Sequence, residues 1–425
     1  MIQFFDLNEV AHDAIFKRAP ETENAETIVR DIISDVRKQG DDALRRYTEK
    51  FDGVKLSALE LTDYQIEDGF RKADPQLVEI LYMATERIYK FHEKQKRTGF
   101  MINDEPGVMM GQKILPLEKV GLYIPGGTAA YPSSVLMNAI PAKIAGVNEI
   151  IMVTPPSPRG IHPGILAAAK IGGVDRIFQV GGAQAVAALA YGTESVPRVD
   201  KIVGPGNRFV AEAKRQVFGT VAIDMVAGPS EILILADASC NPTFVAADLL
   251  SQAEHDTNAS AVLITDSRAL AEAVSASIEK QLPLLPRRDI ARASIDQNGK
   301  IILVSSLSEG IAISNELAPE HLELCLDNPF DYLDQIKNAG SVFLGKNCPE
   351  ALGDYFAGPN HTLPTSGTAR FSSPLSVDDF VKKMQYTYFS KPALRRTADS
   401  VAYFAVAEGL TAHARSVSLR VKEQE

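Results

Sequence analysis

Four histidines in the second half of the chain each stand near a carboxylate or an amide. The four pairs are Gln252 with His255, Glu320 with His321, Asp354 with His361, and Glu408 with His413. Imidazole nitrogen and carboxylate oxygen are ligands that Zn²⁺ accepts, and an amide oxygen is a neutral donor that keeps the charge of a site low. An adjacent Glu and His also offer two general bases in different orientations. These residue types indicate a metal site with proton-transfer chemistry beside it.

Each pair also has a structural explanation. In SQAEHD (251–256) the Gln and the His share a helix face, which suits a metal site or a solvated helix end equally. Pro319 places the second pair where the first turn of a helix would suit a carboxylate. The acid of the third pair could be a turn residue after Gly353, with Asn360 as a turn former, and the fourth pair could be exposed on a terminal helix. Four such pairs together, two of them set among glycines and prolines, favour convergence in one pocket.

The elements that would carry these residues change character near residue 119. The first 100 residues are polar and predict helices, above all in AETIVRDIISDVRKQGDDALRRYTEKF and PQLVEILYMATERIYKFHEKQ. Beyond residue 119, short apolar runs that end in Gly or Pro alternate with Ala-rich runs. The predicted strands are VGLYIPGG, EIIMVTPP, RIFQVGG and KIVGPG, and the predicted helices begin near Pro132, Pro163, Ala183 and Asn207. This alternation implies a parallel sheet with crossover helices.

A similar alternation resumes after Glu231. EILILAD, SAVLITD, KIILVSS, HLELCLD and GSVFLG are predicted strands, and a helix is predicted through FVAADLLSQAEHD. From Val377 the chain is predicted to be mostly helical again, and it ends in a charged tail. We therefore expect an α/β fold with two Rossmann-like units in series.

Two such units suggest a dinucleotide, but the usual glycine fingerprint of a dinucleotide-binding turn is missing. The nearest candidates are IPGGTA (124–129), QVGGAQ (179–184) and VGPGNR (203–208), and the last has Phe209 where the third glycine should fall. Each follows a predicted strand and opens a helix, which is the place for a ligand at the carboxyl ends of parallel strands. They could equally be tight turns that need glycine for positive φ.

Composition and charge exclude several classes of function. The chain has 425 residues, 45% of them hydrophobic and 23% charged, which are ordinary globular values. Its net charge of -10 argues against a nucleic-acid binder, and no run of 18 apolar residues predicts a membrane span. The N-terminus, MIQFFDLNEV, does not have the pattern of a signal peptide. Three widely spaced cysteines, Cys240, Cys325 and Cys348, fit a reducing cytoplasm.

Several longer segments resemble one enzyme family. IDMVAGPSEILILAD followed by SQAEHD, within residues 223–256, closely resembles the signature region of histidinol dehydrogenases. VGLYIPGG, GGAQAVAALAYGT, VGPGN, APEHLE, GDYFAGPNHTLPT and AEGLTAHA also match that family in the same order. The resemblance covers nearly the whole chain, and the combination is highly specific. It implies oxidation of L-histidinol through L-histidinaldehyde to L-histidine, with two NAD⁺ reduced, as the last step of histidine biosynthesis.

The resemblance also implies a set of functional residues. The zinc ligands would be Gln252, His255, Asp354 and His413. The catalytic pair would be Glu320 and His321, where the His takes protons in both oxidations and the Glu activates water. The substrate would contact this catalytic pair, the zinc ligands, and Ser230, His361 and Glu408, while NAD would contact Tyr123, Gln184 and Asn207.

The domain organisation that the resemblance implies is that of a cytoplasmic homodimer with an active site shared between subunits. We expect two incomplete Rossmann-like parallel-sheet domains with smaller helical N- and C-terminal elements. The expected divisions are an N-terminal arm (1–20), a first domain with the metal and catalytic residues (21–122 with 232–375), a second domain with the NAD contacts (123–231), and a helical C-terminal arm (376–425) that reaches the partner subunit's site.

Two other functions are compatible with parts of this pattern. An aldehyde dehydrogenase that forms a thiohemiacetal would need one of the three cysteines as its nucleophile, although none lies in a glycine-rich setting. A zinc-dependent protein that binds an amino acid without chemistry would have no use for the adjacent Glu320 and His321. Release of NADH from histidinol, two per molecule, would distinguish the dehydrogenase from both.

Overall fold

The computed structural model describes residues 2–7, 15, 25–126 and 130–422. The chain divides into two compact units. The first unit comprises Met1–Gln95 and Leu117–Phe380, and the second comprises Lys96–Pro116 and Val381–Glu425. Within the described ranges, none of the helices has both the length and the apolar character that crossing a bilayer requires.

The strands and helices follow one another as the alternation predicted. The strands in chain order are β1 (Gln3–Asp6), β2 (Phe100–Ile102), β3 (Val108–Pro116), β4 (Lys119–Tyr123), β5 (Glu149–Thr154), β6 (Arg176–Gln179), β7 (Lys201–Val203), β8 (Ala222–Ile223), β9 (Glu231–Ala236), β10 (Ser260–Thr265), β11 (Lys300–Leu303), β12 (His321–Cys325), β13 (Ser341–Leu344) and β14 (Val381–Phe389). The helices are α1 (Ala25–Asp52), α2 (Asp63–Lys72), α3 (Pro75–His92), α4 (Pro132–Ala145), α5 (Pro163–Gly172), α6 (Gly182–Tyr191), α7 (Arg208–Val217), α8 (Pro242–Ala253), α9 (Arg268–Gln281), α10 (Arg288–Asn298), α11 (Leu307–Leu317), α12 (Phe330–Leu333), α13 (Glu350–Tyr355), α14 (Lys391–Ala407) and α15 (Thr411–Lys422).

The first unit contains two parallel sheets. One has five strands in the order β6-β5-β4-β7-β8, and the other has six in the order β1-β11-β10-β9-β12-β13. Their central strands are buried on both faces, which explains why they read as continuous apolar runs rather than as alternating ones. The predicted α/β fold is confirmed, and the structure contains each of the strands predicted from residue 119 onward.

The helices that precede residue 95 pack on the five-stranded sheet. Val29 and Leu44 of α1 lie in one apolar cluster with α6, and Leu81 and Ile88 of α3 lie in another with α4. The expected grouping of residues 21–122 with 232–375 therefore differs from the observed packing. The reason is that an amphipathic helix shows which of its faces is apolar but not which sheet will cover that face.

The N-terminal residues of the described chain belong to the six-stranded sheet. β1 pairs in parallel with β11, and Ile15 is fully buried in an apolar cluster with strands β9–β12. Residues 8–14 and 16–24, which include the rest of the predicted arm, lie outside the described residues.

The second unit has its own small sheet. The long strand β14 pairs antiparallel with β3 from Val381 to Phe389, and β2 pairs with the other edge of β3. Helices α14 and α15 follow and pack on each other. The C-terminal segment was expected to be mostly helical, so the strand VKKMQYTYF is a difference. Its partner comes from residues 108–116, which nothing in the local pattern of the C-terminal segment could indicate.

Candidate active site

Two neighbouring strands of the six-stranded sheet place the predicted catalytic pair. β9 and β12 lie side by side in parallel, with His321 in register with Ile232. Glu320 and His321 therefore stand at the amino end of β12, beside Glu231 at the amino end of β9. The helical alternative for Glu320 is wrong, because the chain leaves α11 through Ala318 in a left-handed conformation and enters a strand.

One residue, Glu231, orients both members of the pair through its backbone. Its N–H donates to Oε2 of Glu320 at 2.8 Å, and its carbonyl oxygen lies 2.9 Å from Nδ1 of His321. Since a carbonyl can only accept, Nδ1 carries the ring proton, and Nε2 is left with the lone pair that a general base needs. Ser230, the residue before Glu231, is half-buried at the same strand end.

Burial shifts the two side chains in opposite directions. It lowers the pKa of His321, which is 3% exposed, although the charge of Asp354 opposes this shift. It raises the pKa of Glu320 well above the usual range for a glutamate, and the nearby carboxylates of Glu231, Asp354 and Glu350 raise it further. Both shifts favour the uncharged form of the side chain. For the His321 imidazole this is the form that accepts a proton, and for Glu320 it is the protonated carboxyl.

The short helix α13 brings two carboxylates to the free nitrogen of His321. Nε2 lies 3.7 Å from Oε1 of Glu350 and 4.0 Å from Oδ1 of Asp354. One ligand atom from each of the three residues lies within 4.8 Å of the others, which is a spacing that a metal ion could bridge. Burial, with the charge of Asp354 second, raises the pKa of Glu350 to about 9.

Glu350 was not among the residues predicted from the sequence. It is almost fully buried, and Oε1 has no hydrogen-bond partner among the residues that the structure describes. Its spacing of four from Asp354 would have put both carboxylates on one helix face. This spacing could have indicated Glu350 only if a helix had been predicted over these residues.

His361 and Asp354 are joined across the loop that follows α13. Nδ1 of His361 lies 3.0 Å from the carbonyl oxygen of Asp354 and 3.7 Å from its Oδ1. The neighbouring Asn360 is a buried anchor, because its Nδ2 donates to the carbonyl oxygen of Met137 at 2.6 Å. Asn360 is therefore more than a turn former: it fixes the loop that presents His361.

Gln252 and His255 lie at the end of α8. Gln252 is only 1% exposed, so it does not form a solvated helix face. Within the described part of the chain, its Oε1 is buried without a hydrogen-bond partner, which is costly unless a ligand completes it. Ser251 Oγ contacts Oε2 of Glu350 at 3.4 Å, and the charge of His255 contributes to the lowered pKa of His321. Helix α8 therefore faces the same cluster as α13.

A cavity of about 140 Å³ adjoins this cluster. Its lining includes His321, Asp354 and His361 together with Cys348. Glu408 and His413 belong to the second unit, where both are exposed.

The other two cysteines lie in the core. Cys240 donates from Sγ to the carbonyl oxygen of Cys325 at 2.6 Å, and both residues are buried. The thiol hydrogen bond from Cys240 is the largest cause of a raised pKa at Cys325. A thiol with a raised pKa is a poor nucleophile at neutral pH.

The glycine-containing loops meet at the carboxyl edge of the five-stranded sheet. The hydroxyl oxygen of Tyr123 accepts from the N–H of Gly182 at 3.0 Å, and burial raises the pKa of Tyr123 to about 12. Gln184 is buried, and neither polar atom of its amide has a hydrogen-bond partner in the ranges described. Asn207 caps α7, with Oδ1 accepting from the N–H groups of Phe209 and Val210. Gly127–Ala129 of the first loop lie outside the described residues.

Close approach as well as positive φ explains these glycines. A Cβ added to Gly126 or to Gly181 would lie 2.5 Å from the side chain of Pro155. Gly204 has a φ of 112°, and a Cβ there would lie 2.1 Å from the carbonyl oxygen of Tyr123. The loops thus bring Tyr123, Gly182 and the turn before Asn207 together.

Comparison with known proteins identifies relatives over nearly the whole chain. Residues 16–421 match the model of the histidinol dehydrogenase family. Histidinol dehydrogenase of Lactiplantibacillus plantarum is 58% identical, and the alignment covers 93% of this chain and 92% of that protein. Histidinol dehydrogenase of Geobacter sulfurreducens is 54% identical, with 99% and 100% covered. The crystal structure of histidinol dehydrogenase from Elizabethkingia anophelis superposes with a TM-score of 0.93 at 40% identity, over 99% of this chain and 98% of that one.

Proposed function

The chain belongs to the histidinol dehydrogenase family, and we propose that it oxidises L-histidinol through L-histidinaldehyde to L-histidine, with zinc as its metal and two NAD⁺ as oxidants. The observation that carries the proposal is the cluster in which His321, Glu350 and Asp354 lie within 4.8 Å of one another. Glu320, whose Oε2 lies 3.6 Å from Nδ1 of His321, stands beside that cluster, so two candidate bases are available for two successive oxidations.

The donors of the first unit fit a zinc ion. Asp354 offers a carboxylate, His255 an imidazole and Gln252 a buried amide oxygen that is otherwise unsatisfied within the described chain. A set of oxygen and nitrogen donors of this kind suits Zn²⁺. We assign the fourth position to His413 of the partner subunit. Such an ion would supply Lewis-acid chemistry and would help to orient the substrate.

Each of the two bases takes one kind of proton. Nε2 of His321 accepts the hydroxyl proton of histidinol in the first oxidation, while Nδ1–H stays bonded to Glu231 and holds the ring. In its ionised form Glu320 removes a proton from the water that attacks the aldehyde, and His321 returns its proton to the aldehyde oxygen to give the gem-diol. His321 then accepts a hydroxyl proton from the gem-diol as the second hydride leaves for NAD⁺. General-base catalysis of this kind contributes typically about 10²- to 10⁴-fold each time.

The remaining assignments place the substrate and NAD⁺. Ser230 and His361 would hold the substrate, with Glu408 of the partner subunit. Tyr123, Gln184 and Asn207 would hold NAD⁺, which supplies the hydride acceptor for both oxidations. Two observations support the NAD⁺ assignment. The buried amide of Gln184 has no hydrogen-bond partner among the described residues, and the N–H groups at the start of α6 favour an anionic ligand.

We further propose a homodimer that works in the cytoplasm. Three thiols without disulfide partners support a reducing compartment. Support for the dimer is that two of the assigned residues, Glu408 and His413, are exposed in a unit separate from the rest.

The decisive experiment is a stoichiometric assay. Purified protein with limiting L-histidinol and excess NAD⁺ should release two NADH per histidinol. The absorbance of NADH measures the release. A binding protein without chemistry would release none, and an enzyme that stops at the aldehyde would release one.

Removal of the metal tests the zinc assignment. A chelator should abolish activity, and added Zn²⁺ should restore it because the ligand set is built for that ion. Full activity in protein shown to be metal-free would contradict the assignment.

The variant Cys348→Ala tests the thiohemiacetal route, because this cysteine lines the cavity. The variant should keep its activity, and an inactive variant would favour that route.

A further inference from the structure

A fully buried ion pair lies behind the GPGN turn that follows β7. Lys214 of α7 pairs with Asp224, the residue after β8, and their side chains are only 2% and 1% exposed. Of the pairs between Lys or Arg and an acid in the described chain, it is the only one with both side chains below a tenth exposed.

Both charged groups hold the backbone of the same residue, Gly204. Nζ of Lys214 donates to the carbonyl oxygen of Gly204 at 3.0 Å. Oδ2 of Asp224 accepts from the N–H of Gly204 at 2.8 Å, and its Oδ1 accepts from the N–H of Met225 at 2.6 Å. The hydrogen bonds from this pair hold the backbone of the first residue after β7, where regular strand pairing ends.

Gly204 needs this support because of where it lies. Its φ of 112° is a conformation that favours glycine, and a Cβ at this position would lie 2.1 Å from the carbonyl oxygen of Tyr123. The turn therefore leaves the sheet at an angle that regular strand pairing would not maintain. Three residues later, Asn207 starts α7 and uses Oδ1 to cap that helix, so the group it offers to a ligand is its Nδ2.

Stability alone is a weak reason for burying two opposite charges. Desolvation of such a pair often cancels its attraction, and well-packed apolar residues can be equally stable. A geometric role is a better reason, and here the geometry concerns a turn between Tyr123 and Asn207. Neither charged side chain is accessible to a cofactor, so any effect of the charges on binding must act through the turn.

We propose that Lys214 and Asp224 are positioning residues for NAD⁺, which hold the GPGN turn in the conformation that presents Asn207 to the cofactor. The proposal rests on the proposed function, in which Asn207 contacts NAD⁺. It goes beyond that function by assigning the affinity for NAD⁺ partly to a buried pair that never touches the cofactor. Loss of the pair should therefore raise the Kd and KM for NAD⁺ and leave kcat nearly unchanged, as expected for loss of uniform binding.

The test is a double variant with a matched control. Lys214→Met with Asp224→Asn removes both charges and leaves an acceptor for the N–H of Gly204. The control, Lys201→Met with Asp379→Asn, removes the ion pair at the start of β7, whose atoms are 2.8 Å apart and which does not touch the turn. Circular dichroism and Tm establish that each variant is folded.

The measurements are the Kd for NAD⁺ by calorimetry, and KM for NAD⁺, KM for histidinol and kcat at saturation. The Lys214 and Asp224 variant should bind NAD⁺ about tenfold more weakly, a loss of about 1.4 kcal/mol, with kcat and the KM for histidinol within about twofold. The control should stay within about twofold for every quantity. An affinity for NAD⁺ equal to that of the unmodified protein, in a folded variant, overturns the proposal.

Two further variants keep the result interpretable. If the double variant does not fold, Asp224→Asn alone keeps the lysine and the acceptor. This single variant should still weaken NAD⁺ binding, and unchanged binding overturns the proposal.

Asn207→Ala tests the proposed function separately. If Asn207→Ala weakens NAD⁺ binding and the folded pair variants do not, only the positioning role fails. If Asn207→Ala has no effect either, the assignment of this turn to NAD⁺ fails.

Discussion

At the scale of single residues, the backbone of Glu231 links the two members of the candidate catalytic pair. Its N–H holds Glu320 and its carbonyl oxygen holds His321, so two bases are oriented by one residue of the neighbouring strand. Burial then raises the pKa of the carboxyl and lowers the pKa of the imidazole. Environments that shift two titratable groups in opposite directions are typical of sites that divide proton transfers between them.

The first prediction concerns Glu320→Gln. The amide keeps an acceptor for the N–H of Glu231 but cannot remove a proton from water, so aldehyde oxidation should fall by about 10²-fold or more. Oxidation of the alcohol should fall much less, because His321 remains in place. The two half-reactions are followed by single-turnover NADH formation from histidinol and from histidinaldehyde. Equal losses in both would contradict the division of roles.

Another residue with a perturbed carboxyl is Asp52, at the end of α1. Burial raises its pKa from 3.8 to about 6, and its Oδ2 has no hydrogen-bond partner within the described ranges. The folded protein therefore binds more protons than the unfolded chain between these two values. Stability linked to Asp52 falls as the pH rises through that window, and the loss is complete above it.

The variant Asp52→Asn should consequently stabilise the protein at pH 8 more than at pH 5. Because the carboxyl is only half-buried, solvent screening limits the difference to about 1 kcal/mol. Urea unfolding at the two pH values measures it. Asp42→Asn is the control, because Asp42 is largely exposed on the same helix. A gain that is the same at both pH values would argue against a buried charge as its cause.

At the scale of elements, the candidate site residues lie at opposite edges of the two sheets. The proposed catalytic pair stands at the amino ends of β9 and β12, whereas the glycine loops follow the carboxyl ends of β4, β6 and β7. The second arrangement is the usual one for parallel sheets, because helix N-termini point to that edge. The first arrangement depends on α8 and α13, which meet where Ser251 contacts Glu350.

Substitution of Gly204 tests the close packing of these loops. Gly204→Ala must accept both an unfavourable φ and a clash with the backbone of Tyr123. Gly219 is the matched control, because its φ is 97° but no atom lies within 4 Å of an added Cβ. Both variants carry strain of about 1 kcal/mol, and Gly204→Ala should lose at least about 2 kcal/mol more. Denaturant unfolding compares them, and equal losses would show that the clash is relieved without cost.

At the scale of the whole molecule, two of the proposed site residues lie in the second unit. The second unit carries Glu408 and His413, and on α14 it exposes large apolar side chains such as Tyr403 and Phe404. Exposed apolar surface of this kind commonly marks an interface with another protein chain. This supports the proposed homodimer, in which the exposed residues of this unit would complete the partner's site.

Complementation between inactive chains tests the shared site. His413→Asn removes a proposed metal ligand, and Glu320→Gln removes a base, so each homodimer should be nearly inactive. A mixed dimer contains one site with neither change, and mixed protein should recover up to about a quarter of the normal activity per subunit if chains pair at random. Mass spectrometry must show that heterodimers form. Heterodimers without activity would place both residues in the site of a single chain.

Much of the fold could be predicted because its signals are local. Apolar runs that end in glycine or proline predicted the parallel strands, and Pro132, Pro163 and Asn207 marked helix starts that the structure contains. These signals work because hydrophobic periodicity and turn chemistry act over a few residues. The motifs also identified the family, because the order of these short segments along the chain can be recognised without knowledge of tertiary contacts.

Only the tertiary structure decided which of these segments meet. The sequence could not show that α1 and α3 cover the five-stranded sheet, that β14 pairs with β3, or that Glu350 faces His321. It could not distinguish a solvated Gln252 from a buried one, because burial depends on packing by α8 and α13 around it. The physical reason is the same in each case. Residue types and spacing determine what a segment can do by itself, whereas contacts between residues tens to hundreds of positions apart are set by how whole faces pack.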